Sequence, residues 1–260
     1  MVAPAGLAAG APLTFQDNTK DVWTAVSSSI VFVDPFPGEV KENMLYSWEY
    51  GQRWATKQIH TKYGPTDPNA QNADTIFTHV QEWYGFFTSM LREGLHWIVK
   101  DLDFSNAQAS GSTFTVDKMI IEVLTSFLAT DSVALAAVTD AIALLKSMDS
   151  TDPRMVMWDS HSTSHGKGTF QMGAVRDSGG GLATMHTGAL ELDTTQTVTT
   201  VFFFFNYSSS DTQVTKAAQD LLFHNDAYTR VGTNGQSAKQ IVESAVVDTS
   251  NQYLANDGGI

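Results

Sequence analysis

The chain has no cysteine. That absence excludes thiol catalysis, thiolate-held zinc and S-palmitoylation, and it leaves the redox compartment open. Charge is scarce as well: 17% of residues are Asp, Glu, Lys or Arg, with 15 basic against 28 acidic. The net charge of −13 argues against a nucleic-acid partner, which requires a basic surface. It also argues against adsorption to anionic lipid by charge alone. Long apolar runs are missing too. No stretch approaches the ~18 consecutive apolar residues of a spanning helix, and residues 1–10 lack the basic region of a secretory signal. The expectation is a soluble chain with no evident signal peptide, its localisation otherwise open. No internal repeat and no low-complexity linker divides it.

What is present is a long apolar chain: 260 residues, 42% hydrophobic and 11% aromatic. A chain of that size can bury roughly 70% of its unfolded surface without disulfides or metals. Its hydrophobic period changes along its length. Residues 40–149 read as helices, residues 154–224 as strands, and residues 237–248 as a last helix. In residues 72–100, Ile76, Val80, Trp83, Phe87, Met90, Trp97 and Ile98 share one broad helical face, with His79, Glu82, Glu93 and His96 opposite. Residues 40–62 predict an earlier helix closed by Gly64-Pro65. Two further helices form a hairpin. One carries Val116, Ile120, Val123, Leu124 and Phe127, the other Val138, Ile142, Leu145 and Met148, and they break near Thr130-Asp131-Ser132.

After Pro153 the spacing becomes that of strands, expected at 154–161, 169–177, 182–193, 197–207 and 212–224. Gly179-Gly180-Gly181 joins the second and third into a long hairpin. The fourth carries Val201-Phe202-Phe203-Phe204-Phe205, five bulky apolar residues whose alternation requires cover on both faces of a sheet. Helices before and after a contiguous antiparallel sheet predict an α+β fold. It is expected as a single domain over residues 1–260, a three-layer α-β-α sandwich with a central antiparallel sheet between helical layers.

Motifs that carry chemistry are few. His161 and His165 sit four apart between strands beside Gly166 and Gly168, without a third ligand, and read as a polar loop. His79, Glu82, Glu93 and His96 lie on the polar side of a helix, where solvated charge is expected. Asn225-Asp226-Ala227-Tyr228-Thr229 matches half of a terpene-cyclase metal motif, but Thr233 stands where its glutamate belongs. Gly232-Thr233-Asn234-Gly235-Gln236 lacks the ending of a phosphate loop, and no Gly-x-Ser-x-Gly elbow occurs. The sequon Asn206-Tyr207-Ser208 is taken as coincidence. No catalytic residue, cofactor or metal is assigned, and whether the chain is an enzyme stays open.

The order of elements resembles the cytolytic delta-endotoxin (Cyt) family of insecticidal bacterial toxins and the fungal volvatoxin A2 group, best over residues 114–223. The likeness rests on the helical hairpin, the strand Met155-Val156-Met157-Trp158, and the hairpin Phe170-Gln171-Met172-Gly173-Ala174-Val175-Arg176-Asp177. That hairpin turns through Gly179-Gly180-Gly181 and returns through Met185, and the aromatic run Val201 to Phe205 leads into Ser208. The resemblance implies a soluble protein, released and then membrane-associated, whose helices peel from the sheet so that strands contact or permeabilise a lipid bilayer. A homo-oligomer on the membrane is left open. The contacting residues are expected to be Phe170, Met172, Val175, Leu190, Leu192, Val201, Phe203 and Phe205. The alternative is a lipid- or isoprenoid-binding protein or enzyme. Its ligand, a lipid-like small molecule, would lie between helices and sheet, against walls supplied by Trp83, Phe86, Phe87, Trp97 and Trp158.

Overall fold

A computed structural model of the chain describes residues 27–33, 35–63, 78–99, 104–107, 112–128, 131–147, 163–164, 166–198 and 205–245. Along these the chain forms β1 (Ser27–Phe32), α1 (Gly38–Tyr63) and α2 (Val80–Ser89), which continues as a π-helical turn, Met90–Gly94. Then come β2 (Trp97–Val99), β3 (Ser105–Ala107), β4 (Thr113–Phe114), α3 (Val116–Leu128) and α4 (Ser132–Ser147). The strand-rich part follows: β5 (Thr163–Ser164), β6 (Lys167–Gly179), β7 (Leu182–Thr194), β8 (Tyr207–Ser208) and β9 (Thr212–His224). It ends in α5 (Asn225–Thr229) and α6, residues 238–245.

Three long strands build the centre. β6, β7 and β9 pair antiparallel along their length, in the sheet order β1-β6-β7-β9-β2, with β5 also on β6 and β3 also on β9. The β6–β7 turn works because Gly179, Gly180 and Gly181 take φ of 76°, 60° and 76°, a region closed to most side chains. Asp177 fixes it by accepting from the Gly179 N–H at 2.9 Å. The expected wholly antiparallel sheet is corrected by β1, which runs parallel to β6 with Ile30 opposite Gly173. Ser27-Ser28-Ser29 gives no alternating apolar signal, and a parallel partner distant in sequence leaves no hairpin signature between them.

Side-chain alternation divides the buried residues into two clusters. Phe170, Met172 and Ala174 of β6, Leu190 and Leu192 of β7 and Val214 of β9 pack with Val116, Ile120, Val123 and Leu124 of α3 and Val138 and Ile142 of α4. Residues of the other parity, Val175, Ala183, Met185, Ala189, Leu221 and Phe223, pack with Trp48 of α1, Trp83 and Phe87 of α2 and Trp97 of β2. The 3.6-residue stripe of each helix therefore meets one face of a two-residue repeat.

Two expected elements are replaced. The helix predicted over 72–100 ends at Gly94, and Trp97–Val99 becomes a strand paired with Leu221 to Phe223. His96 takes φ 60° and turns the chain. Trp97 and Val99 then point inward while Ile98 is 60% exposed, which is alternation by two and not a shared helical face. The strand expected over 197–207 is not found at its described ends, residues 199–204 lying outside the described residues. The Gln196 Oε1 accepts from the Ser208 N–H at 2.6 Å, whereas an extended segment of that length would part its ends by about 36 Å. Among the described residues, Thr197, Val198, Phe205 and Asn206 lie outside any strand, and Tyr207–Ser208 pairs with β4. The strand expected over 154–161 lies outside the described residues.

Candidate functional site

The β6–β7 hairpin is the most regular feature of the molecule and carries most of the expected contact residues. Its register sets Gly168 opposite Leu192, Phe170 opposite Leu190 and Met172 opposite Gly188. Phe170, Met172, Leu190 and Leu192 thus form one apolar patch, each at most 1% exposed, beneath the α3–α4 hairpin. Gly188 lets α3 close on the strand: a Cβ there would lie 3.1 Å from both Val123 Cγ1 and Leu124 Cγ. Val175, grouped with these residues by sequence, has the opposite parity and packs in the cluster with Trp48 and Phe87. Phe205 packs edge-on against Tyr207, ring centroids 4.9 Å apart, and joins the α3–α4 cluster from its margin. Val201 and Phe203 lie outside the described residues.

The other face of the hairpin is mixed, with polar residues set among Val175, Ala183, Met185 and Ala189. Thr169, Gln171 and Thr187 are buried on the face turned from α3 and α4, and Glu191 on that face accepts from Thr215 of β9 at 2.9 Å. This polar side escaped the sequence reading, although the alternation Thr169-Phe170-Gln171-Met172 was its signal.

Charged groups tie the α3–α4 hairpin down at its rim. Asp131, in the turn before α4, accepts from the Ala134 N–H at 3.0 Å and pairs with Arg176 of β6 at 2.7 Å. Burial opposes ionisation of Asp131, but the Ala134 N–H and the Arg176 guanidinium outweigh it and hold the carboxyl below its ordinary range. Within the hairpin, Lys146 pairs with the buried Asp117 at 2.6 Å. On the sheet beside it, His186 meets Asp220 at 2.6 Å. Nothing local in the sequence joins Asp131 to Arg176, which are 45 residues apart.

A prediction arises here. Replacing Asp131→Ala removes a helix cap and an ion pair and is expected to cost about 1 kcal/mol at pH 7. Because the folded-state pKa is depressed, this contribution is full above the unfolded value, near 3.9 for an aspartate, and is lost as pH falls through the folded one. Urea midpoints of parent and variant should therefore differ at pH 7 and converge in stronger acid. A gap that stays constant down to pH 2 contradicts this role.

The residues expected to wall a pocket pack ring against ring. Trp83 and Phe87 stack at 5.2 Å, Trp48 meets Phe87 at 4.7 Å and Trp97 at 5.8 Å, and half-buried Phe86 meets Trp54 at 6.0 Å. Their polar edges are satisfied by α1, since the Trp83 indole N–H donates to Thr56 at 3.0 Å and that of Trp97 to Ser47 at 3.1 Å. Trp158, His161 and His165 lie outside the described residues. His79 stacks on Tyr63 at 3.6 Å, while Glu82 accepts from Lys62 and Tyr63. Asn225 to Thr229, the half motif, forms α5, with Tyr228 buried. Among the described residues no group of three or more His, Asp or Glu could hold a metal, and no helix is long and apolar enough to cross a membrane.

The chain is thus an α+β protein on a mixed sheet, with helices against an alternating central hairpin. No family model and no curated protein matches its sequence. Among solved structures it is similar to a delta-endotoxin, at 12% identity and a TM-score of 0.38, covering 78% of this chain and 84% of that one. It is similar also to the Evf virulence factor, at 8% identity and a TM-score of 0.37 over 86% and 78% of the two chains. A third similar structure is the activated Cyt2Ba monomer from Bacillus thuringiensis subsp. israelensis, at 13% identity and a TM-score of 0.36 over 76% and 98%.

Proposed function

We propose that this chain folds as one Cyt-like domain, a three-layer α-β-α sandwich, and acts as a cytolytic protein that binds lipid bilayers and permeabilises them. In this reading α3 and α4 move off the sheet, and Phe170, Met172, Leu190 and Leu192 exchange helix for lipid. The observation that carries it is the alternation of the β6–β7 hairpin. Toward the turn the second face holds Val175, Ala183 and Met185, but over residues 168–172 and 187–192 one face carries Phe170, Met172, Leu190 and Leu192 and the other Thr169, Gln171, Thr187 and Glu191 around Ala189. A strand that separates hydrocarbon from water needs that pattern. Each strand has 13 residues, about 43 Å extended, which spans a ~30 Å hydrocarbon core even at 45° tilt.

Energetics sets the conditions. The apolar surface uncovered by α3 and α4 must be buried again in lipid, at about 25 cal/mol per Å². A lone ribbon in a bilayer keeps unpaired edges, which hydrocarbon does not tolerate, so several copies would have to close on one another. With a net charge of −13, adsorption would rest on zwitterionic lipid or on acid that neutralises carboxylates. The test is dye release from phosphatidylcholine vesicles incubated with the purified chain, and leakage is expected. No leakage anywhere between pH 5 and 9 removes the proposal.

A further inference from the structure

On the sheet face turned from α3 and α4, the oxygen and the nitrogen of the Gln171 amide are buried without a protein partner, and the buried Tyr84 and Thr169 hydroxyls find no partner beyond each other. Tyr84 and Gln171 are 2% exposed and Thr169 is fully buried. They belong together: Thr169 and Gln171 point the same way from β6, two residues apart, and the Thr169 hydroxyl lies beside that of Tyr84 from α2. Next to Gln171 the cross-strand row continues through the small side chains of Ala189 and Ala217.

We propose that Tyr84, Thr169 and Gln171 build an internal binding site for small neutral hydrogen-bonding molecules, occupied by water in the isolated protein. Each such group left dry would shift folding unfavourably by roughly ten- to a hundredfold, and buried polar groups in folded proteins are satisfied as a rule. The donor set suits water. The amide offers donors and an acceptor and each hydroxyl offers both, so one molecule could reach the two to four partners that a buried water requires. Neutrality follows from burial, because a charged molecule would lose its hydration there, and Glu191 across from Thr169 further disfavours an anion. The site does not depend on membrane action, and its test is made in solution.

The experiment is a crystal structure of the full chain at better than about 1.5 Å, read with thermal midpoints of two variants. Ordered water within about 3.2 Å of the Gln171 amide is expected. Gln171→Met, similar in volume, should lower the midpoint because it strands the water and the two hydroxyls. Combining it with Thr169→Val and Tyr84→Phe should restore much of the loss, since the whole polar set is then removed. The site is overturned by an amide with no water density, or by a midpoint that rises for Gln171→Met alone.

Discussion

Oxidised Val123→Cys/Gly188→Cys protein is expected to release dye from vesicles on the order of a hundredfold more slowly than the parent, and to recover on addition of reductant. The geometry favours the bond, since a Cβ on Gly188 falls 3.1 Å from Val123 Cγ1, the atom that the cysteine sulfur would replace or adjoin. Leu124 Cγ at 3.1 Å must give by a few tenths of an ångström. A native-like disulfide wants Cβ atoms about 3.8 Å apart, within reach here. Its stabilisation of about 2–4 kcal/mol underlies the rate estimate, and the absence of any other cysteine makes it the one disulfide the chain can form. The lock acts only if α3 must leave β7. Equal leakage in oxidised and reduced samples would show that this hairpin stays in place and that lipid meets another surface.

Trp83→Ala carries the second large effect, about 3–5 kcal/mol of stability, the range for truncating a buried aromatic. Trp83 is fully buried, stacks on Phe87 at 5.2 Å, meets Tyr84 at 5.1 Å and donates to Thr56. Truncation therefore opens a cavity and leaves the Thr56 hydroxyl without its donor. Gly51 shows how little room the region has: a Cβ on it would stand 3.0 Å from the Phe87 ring. Thr56→Val should cost less, about 1–3 kcal/mol, because it removes one acceptor and keeps the packing. Urea denaturation followed by tryptophan fluorescence measures both. The experiment also separates core from pocket: a cost below about 1 kcal/mol for Trp83→Ala would mark it as the wall of a ligand space.

The long strands were legible because each pattern was local. β9 falls on 212–224 as expected, β6 extends its expected range by two residues at each end, and β7 extends its own by one. The three glycines stand where the chain must take positive φ. The α3–α4 break at Asp131 was legible too, although the reason for that residue, a cap joined to Arg176, was not. Failures came where one signal had two readings. Trp97 and Ile98 fit a helical face as written, and only pairing with Leu221 to Phe223 turns them into a strand with Ile98 outward. The segment expected as one strand over 197–207 is flanked by Gln196 and Ser208, which meet, and composition carries no information about such a contact.

Alternation and helical stripes, both one-dimensional repeats, were enough to establish on their own that helices accompany a sheet built round a long hairpin. Which helix covers which side could not be decided that way. Phe170 and Val175 look equally buried in sequence, yet one meets α3 and α4 and the other meets Trp48 and Phe87. The parallel entry of β1, the approach of Val123 to Gly188 and the contact of Tyr84 with Thr169 all join residues far apart in the chain. Such contacts are chosen by three-dimensional packing, where shape and hydrogen-bond satisfaction are settled between elements and not within them.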